Sequence, residues 1–180
     1  MSDFSRKIYG TLTQWHQKKD RKPLVIRGAR QVGKTTLVKQ FSGEFKYFIS
    51  LNLESQAEQR YFQTGMDVER TIENISFAKH TPLNADTLLF IDEIQNEPQA
   101  IQMLRYFYER HPEIRVISAE SLLENYAGRT FSFPVGRVEF VAMHPCTFYE
   151  FLTAIDATDD LQIIYDGKSE YIHDRLMRYF

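Results

Sequence analysis

The segment Gly28-Ala29-Arg30-Gln31-Val32-Gly33-Lys34-Thr35 sets two glycines, a lysine and a threonine at the spacing G-x-x-x-x-G-K-[ST]. Two such glycines let the backbone turn tightly, so that successive N–H groups point inward, and a helix opening directly behind them adds partial positive charge. That combination cradles phosphates. Lys34 would reach the β- and γ-phosphates of a bound nucleotide, and the Thr35 hydroxyl would ligate Mg²⁺. Residues Gly28 to Thr35 are therefore all binding candidates, and Thr36 adds a second hydroxyl that either touches a phosphate or bonds to nearby backbone. Arg30 either approaches the nucleotide or turns to solvent, and solvent is the favoured side. A plain strand-to-helix turn competes with this reading, but the chain has only 8 glycines, and two at these offsets followed by Lys-Thr speak against it.

A second constellation is Leu88-Leu89-Phe90-Ile91-Asp92-Glu93, four apolar residues followed by two carboxylates. Behind a phosphate loop this pattern suits a buried strand whose last residue, Asp92, faces the metal, leaving Glu93 to polarise an attacking water as general base. A strand capped by two solvated acids is the alternative. Ser118 and Ser121 flank the end of the next strand, where a polar residue would sense a γ-phosphate; a helix cap explains either serine equally well. Arg137 would supply charge to a transition state in cis or from a neighbouring subunit, against the plainer expectation of a surface or salt-bridged arginine. The catalytic candidates are thus Glu93, Lys34, Ser121 and Arg137, and the metal candidates Thr35 and Asp92.

These side chains need a scaffold of alternating strands and helices. Ile8, Leu12 and Trp15 share one face of a helix over about Ser5 to Gln17, with Ser5 as a cap. Strands are expected at Leu24–Ile26, Lys46–Leu53, Thr87–Ile91 and Ile114–Ile117, and helices at Thr35–Phe41, Glu54–Phe62 and Asp67–Ala78. A further helix begins at Asn96 and Pro98, presents Ile101, Leu104 and Tyr108 inward, and ends at His111-Pro112. In Tyr106-Phe107-Tyr108, core packing outweighs a base-stacking platform. Gly128 and Thr130 to Val141 suggest a turn and a strand, Phe148 to Ile155 a helix, and Ile172, Leu176 and Phe180 a last helical stripe. The alternation implies an α/β fold, a three-layer P-loop NTPase core with a mostly parallel sheet flanked by helices.

Length and composition agree. The 180 residues suit one sizeable core, and 43% hydrophobic with 14% aromatic residues rule out wholesale disorder. A net charge of −2 implies no nucleic-acid tail; the basic cluster Lys18-Lys19-Asp20-Arg21-Lys22 reads as a solvated loop. Cys146 stands alone and the five histidines lie without partners at ligand or triad spacing, so no zinc site or nucleophile arrangement is expected. A lone cysteine, no secretory signal and no span of about 18 apolar residues point to a reducing, cytoplasmic setting.

At Gly28 to Thr35, Leu89-Phe90-Ile91-Asp92-Glu93-Ile94-Gln95 and Ser132-Phe133-Pro134-Val135-Gly136-Arg137-Val138-Glu139-Phe140 the chain resembles a family of prokaryotic predicted ATPases of the AAA+ superfamily, ATP-binding proteins with an AAA-type core and a C-terminal domain of unknown function. The resemblance covers about residues 5–155. It implies phosphate contacts from Gly33, Lys34 and Thr35, metal coordination around Asp92, water activation by Glu93, and Ser121 as the sensor-like residue. Adenine as the base, hence ATP with Mg²⁺, comes from the resemblance alone. Family members usually carry glycine where this chain has Glu120, and an added carboxylate there would repel a γ-phosphate unless it points away. Members also continue further, so 1–22 is expected to be a docking helix and loop, 23–145 the core, and 146–180 the start of an incomplete helical region.

Three functions follow. The first is an Mg-dependent ATPase; the second is a nucleotide-binding switch or signalling module with negligible turnover. The third, a nucleic-acid-associated motor, is supported only by the Lys18–Lys22 cluster. ATP or ADP is the expected ligand, with self-association and a protein partner bound through the C-terminal region as further expectations, and no membrane.

Overall fold

The computed structural model describes residues 6–63, 65, 67–121, 132–167, 177 and 179. The Ser5 cap, the Gly128 turn and the Ile172, Leu176 and Phe180 stripe lie outside the described residues.

Among the described residues five strands, β1 (Leu24–Gly28), β2 (Tyr47–Asn52), β3 (Thr87–Asp92), β4 (Arg115–Ser121) and β5 (Glu139–Ala142), form one sheet in the order β2-β3-β4-β1-β5. Every pairing is parallel. Parallel neighbours need crossovers, and helices α2 (Lys34–Phe41), α3 (Gln56–Gln59), α4 (Val68–Lys79) and α5 (Pro98–Arg110) lie on those joining β1 to β4, while α1 (Ile8–Gln17) precedes the sheet and α6 (Phe148–Ala154) and α7 (Thr158–Tyr165) follow it. The expected three-layer α/β arrangement is present.

Side-chain alternation along the strands splits the core in two. Leu88 and Phe90 of β3 meet Leu12 and Trp15 of α1 and Leu37, Val38 and Phe41 of α2 on one face. On the other, Leu89 and Ile91 meet Val68 and Ile75 of α4 and Ile101, Leu104 and Phe107 of α5. Both faces being covered explains why β3 reads as an unbroken apolar run.

Several elements differ from expectation. In α5 the buried aromatic is Phe107, not Tyr108: the stripe runs Ile101, Leu104, Phe107 by i+3 steps, and Tyr108 is left half-buried with its hydroxyl donating to Asp20 at 3.1 Å. The N-cap of α5 is Glu97, whose carboxylate accepts from the Gln99 amide at 3.0 Å, while Asn96 belongs to a short 3₁₀ turn at Ile94–Asn96. Residues 54–62, expected as one helix, divide into α3 and a 3₁₀ turn at Arg60–Phe62. β4 runs four residues beyond Ile117 to Ser121, which carries it to the sheet end where the candidate site lies. α7 falls in the region 146–180 expected to begin as helical, although no helix was given bounds there.

Candidate functional site

β1 ends at Gly28, and the chain turns through Gln31 (φ 63°) and Gly33 (φ 95°) into α2. Gly33 takes the left-handed region that glycine enters without steric cost. Gly28 is required for a different reason: a Cβ there would lie 2.3 Å from the Met143 carbonyl oxygen, on the chain leaving β5. The first hydrogen bond of α2 runs from the Leu37 N–H to the Gly33 carbonyl, 2.9 Å, so the amides of Gly33, Lys34, Thr35 and Thr36 have no intrahelical partner and crowd the positive end of the helix.

Lys34 is buried, and its ammonium donates to the carbonyls of Gly28 (2.9 Å) and Ala29 (2.8 Å) and to Ser121 Oγ (3.4 Å). Burial pulls its pKa below the ordinary lysine value, while the carboxylates of Glu93 and Asp92 pull it back up. The Ser121 hydroxyl in turn donates to Glu93 Oε1 at 2.7 Å. A continuous chain therefore links Lys34, Ser121 and Glu93 across α2, β4 and the end of β3. Beside it, Thr35 Oγ1 donates to Asp92 Oδ2 at 2.7 Å, and the Glu93 amide donates to Asp92 Oδ1 at 3.0 Å. Desolvation raises the Asp92 pKa, with the Glu93 charge adding to it and the Thr35 and amide hydrogen bonds opposing.

Glu93 sits at φ 52°, a left-handed conformation uncommon outside glycine. The kink turns the chain out of β3, and the carboxylate is gripped on both oxygens, by Ser121 and by Gln95 Nε2. Gln95 was not singled out from the sequence; its position two residues after a carboxylate carries no signal without the kink.

The donor set fits a hard cation. Thr35 and Asp92 present a hydroxyl and a carboxylate side by side, two oxygen donors that would hold Mg²⁺ while phosphate oxygens and water complete its shell. Among the described residues no cluster of three or more His, Cys, Asp or Glu side chains could hold a metal alone.

A cleft of about 500 Å³ opens beside the loop, lined among others by Arg6, Gly33, Thr36, Gln40, Pro145 and Cys146. Arg6 forms one wall: its guanidinium donates to the carbonyls of Val32 (3.1 Å) and His144 (2.8 Å) and pairs with Glu150 at 3.2 Å. Glu150 belongs to the capping box that opens α6 with Thr147, and its carboxylate also accepts from the Lys7 amide at 3.1 Å. Burial opposes its charge, yet the Thr147 and Lys7 amides and the Arg6 guanidinium outweigh burial and hold its pKa down at about 2. Thr-x-x-Glu at 147–150 is a capping box that sequence could have shown. The link between residues 6 and 150 it could not.

The other candidates separate. Arg30 is exposed, 3.9 Å from Glu54, and also lines the cleft beside the loop. Ser118 lies buried within β4, on the opposite face from Ser121. Arg137 is not brought to the site. It precedes β5, whose Glu139 pairs with Leu24 at the start of β1, so parallel geometry puts it at the sheet end away from the loop, where it donates to Glu109 at 2.7 Å. At that same end Lys18 pairs with Glu139, Arg21 donates to the Pro112 carbonyl at 3.1 Å, and Lys22 stands over the Tyr108 ring, so the basic cluster fastens α1 to its neighbours. Among the described residues no helix is long and apolar enough to cross a membrane.

No curated protein matches the chain. Two solved structures it is similar to are the Walker-type ATPase paby2304 of Pyrococcus abyssi (16% identity, 84% of this chain and 57% of that one, TM-score 0.49) and C. elegans PCH-2 (12% identity, 89% and 47%, TM-score 0.49). The chain spans about half the length of each. A family described as AAA domain matches residues 20–152, from the approach to β1 into α6, so that the loop, both carboxylates and Ser121 all fall inside the matched region; the chain belongs to that AAA domain family.

Proposed function

We propose that this chain binds Mg-ATP at the β1–α2 loop and hydrolyses its γ-phosphate. The observation that carries the reading is the hydrogen-bonded chain from Lys34 through Ser121 to Glu93, with Thr35 and Asp92 paired beside it. Lys34 would exchange its loop carbonyls for phosphate oxygens, which are better partners for a buried ammonium. The α2 amides would accept the same phosphates at the helix N-terminus. Mg²⁺ held by Thr35 and Asp92 supplies charge neutralisation at the phosphates when bound. Glu93 is the side chain placed to take a proton from water, and Ser121, bonded to both Lys34 and Glu93, would report the arrival of a γ-phosphate to the base. The cleft bounded by Arg6 and Pro145 would take the rest of the nucleotide. A part for Arg137 in catalysis would require a second copy of the chain.

The test is phosphate release with Mg-ATP by the chain, by Lys34→Ala and by Glu93→Gln, beside ATP binding by each. Hydrolysis predicts turnover by the parent, ATP binding with a rate lower by about 10²–10⁴-fold for Glu93→Gln, and lost binding for Lys34→Ala. Equal background rates for all three, with ATP still bound by the parent, would remove hydrolysis. One observation favours the alternative, a nucleotide-binding switch with negligible turnover: both Glu93 oxygens already accept hydrogen bonds, from Gln95 and Ser121, which a water would have to displace before giving up its proton there.

A further inference from the structure

Arg27 and Glu120 face each other across β1 and β4, one register step before Gly28 and Ser121, the two residues of that pair of strands to which Lys34 donates. Arg27 Nε donates to Glu120 Oε2 at 2.9 Å. The guanidinium is clamped by two rings, its central carbon 4.0 Å from the Phe140 centroid and 5.1 Å from that of Phe133, and these rings meet edge to face at 5.4 Å. Alternation sends Glu120 to the opposite face from Ser121. Three carboxylates, Asp92, Glu93 and Glu120, thus gather at the sheet end whose buried cation is Lys34, and the Glu120 charge is close enough to act on Lys34.

We propose that Arg27 is a positioning residue of the nucleotide site: held against Phe133 and Phe140, it neutralises Glu120 and keeps its charge off the incoming phosphates. This rests on the Mg-ATP reading above. The aromatic neighbours matter because they restrict the guanidinium to one geometry beside Glu120, whose side chain is only 15% exposed, so the pair is screened less than one held fully in solvent. Unshielded, one carboxylate on the order of 10 Å from the phosphates would weaken binding roughly fivefold to tenfold.

The experiment measures ATP affinity, with melting temperature alongside, for the parent, Arg27→Gln, Glu120→Gln and the double variant, each at low and at 0.3 M salt. The proposal expects Arg27→Gln to bind ATP roughly fivefold to tenfold more weakly, Glu120→Gln to bind within about twofold of the parent, and the double variant to return to within about twofold. The Arg27→Gln defect should shrink at high salt. A merely structural ion pair would give no rescue and no salt dependence, and that result overturns the proposal, as does Arg27→Gln with parental affinity. If Arg27→Gln does not fold, Glu120→Gln alone decides: tightening by fivefold or more shows that Glu120 was never shielded. A parent that binds no ATP overturns the nucleotide reading instead, and the two failures are told apart by that first measurement.

Discussion

Replacing Gly28 with alanine places a methyl carbon 2.3 Å from the Met143 carbonyl oxygen, where a carbon–oxygen contact settles at about 3.3 Å or more. About 1 Å must be found. Met143 cannot give it freely, because its amide donates to the Arg27 carbonyl at 2.7 Å and its side chain is buried against α1 and α2. Val32 Cγ2, 3.3 Å from the new carbon, closes a second direction. Overpacking of this kind costs about 1–3 kcal/mol, and the lost freedom of the unfolded glycine returns about 0.4–1 kcal/mol, leaving a net loss of about 1–2 kcal/mol. For a chain of this size that lowers Tm by about 2–8 °C. The matched control is Gly10→Ala within α1, where nothing lies within 4 Å and helix propensity favours alanine by about 0.5–1 kcal/mol, so its Tm should rise by about 1–4 °C. Thermal unfolding with and without Mg-ATP reads both effects. Since the strain falls on the first residue of the phosphate loop, Gly28→Ala should also lose the nucleotide-induced rise in Tm that Gly10→Ala keeps. A Gly28→Ala protein that melts at the parental temperature and retains the rise would refute the close approach and the loop geometry built on it.

Glu150, held at about 2, gives stability that is fully present above the unfolded value near 4.5 and lost as pH falls through its folded value, because the unfolded chain binds the proton first. Denaturant titrations between pH 5 and pH 2 should therefore show a shallower loss for Glu150→Gln than for the parent, a difference on the order of 1 kcal/mol after solvent screening. Ser121→Ala, which cuts the link from Lys34 to Glu93, should lower phosphate release about 10–100-fold while ATP affinity stays within about threefold. Phe107→Ala should cost about 3–5 kcal/mol in equilibrium unfolding, whereas Tyr108→Phe should cost less than about 1 kcal/mol. The reverse order would restore Tyr108 as the inward residue.

Local features were legible without coordinates. The glycine spacing and Lys-Thr at 28–35 announce a phosphate loop because their chemistry acts over one turn of chain, and the apolar run at 88–91 announces a strand covered on both faces. Whole elements were harder at their margins: the extension of β4 to Ser121 depends on its pairing with Gly28 of β1, and the choice of Phe107 over Tyr108 on how α5 rolls against the sheet. Only the tertiary structure could show that Ser121 bridges Lys34 and Glu93, that Arg6 and Glu150 close one side of the cleft, and that Arg137 stands at the far end from the loop. In a parallel sheet all the strands' C-terminal ends lie at one end, and the chain order does not say which of them are neighbours until the strand order 2-3-4-1-5 is known. The sequence thus determined which residue types stand at a phosphate-loop spacing; the sheet decided which of them meet.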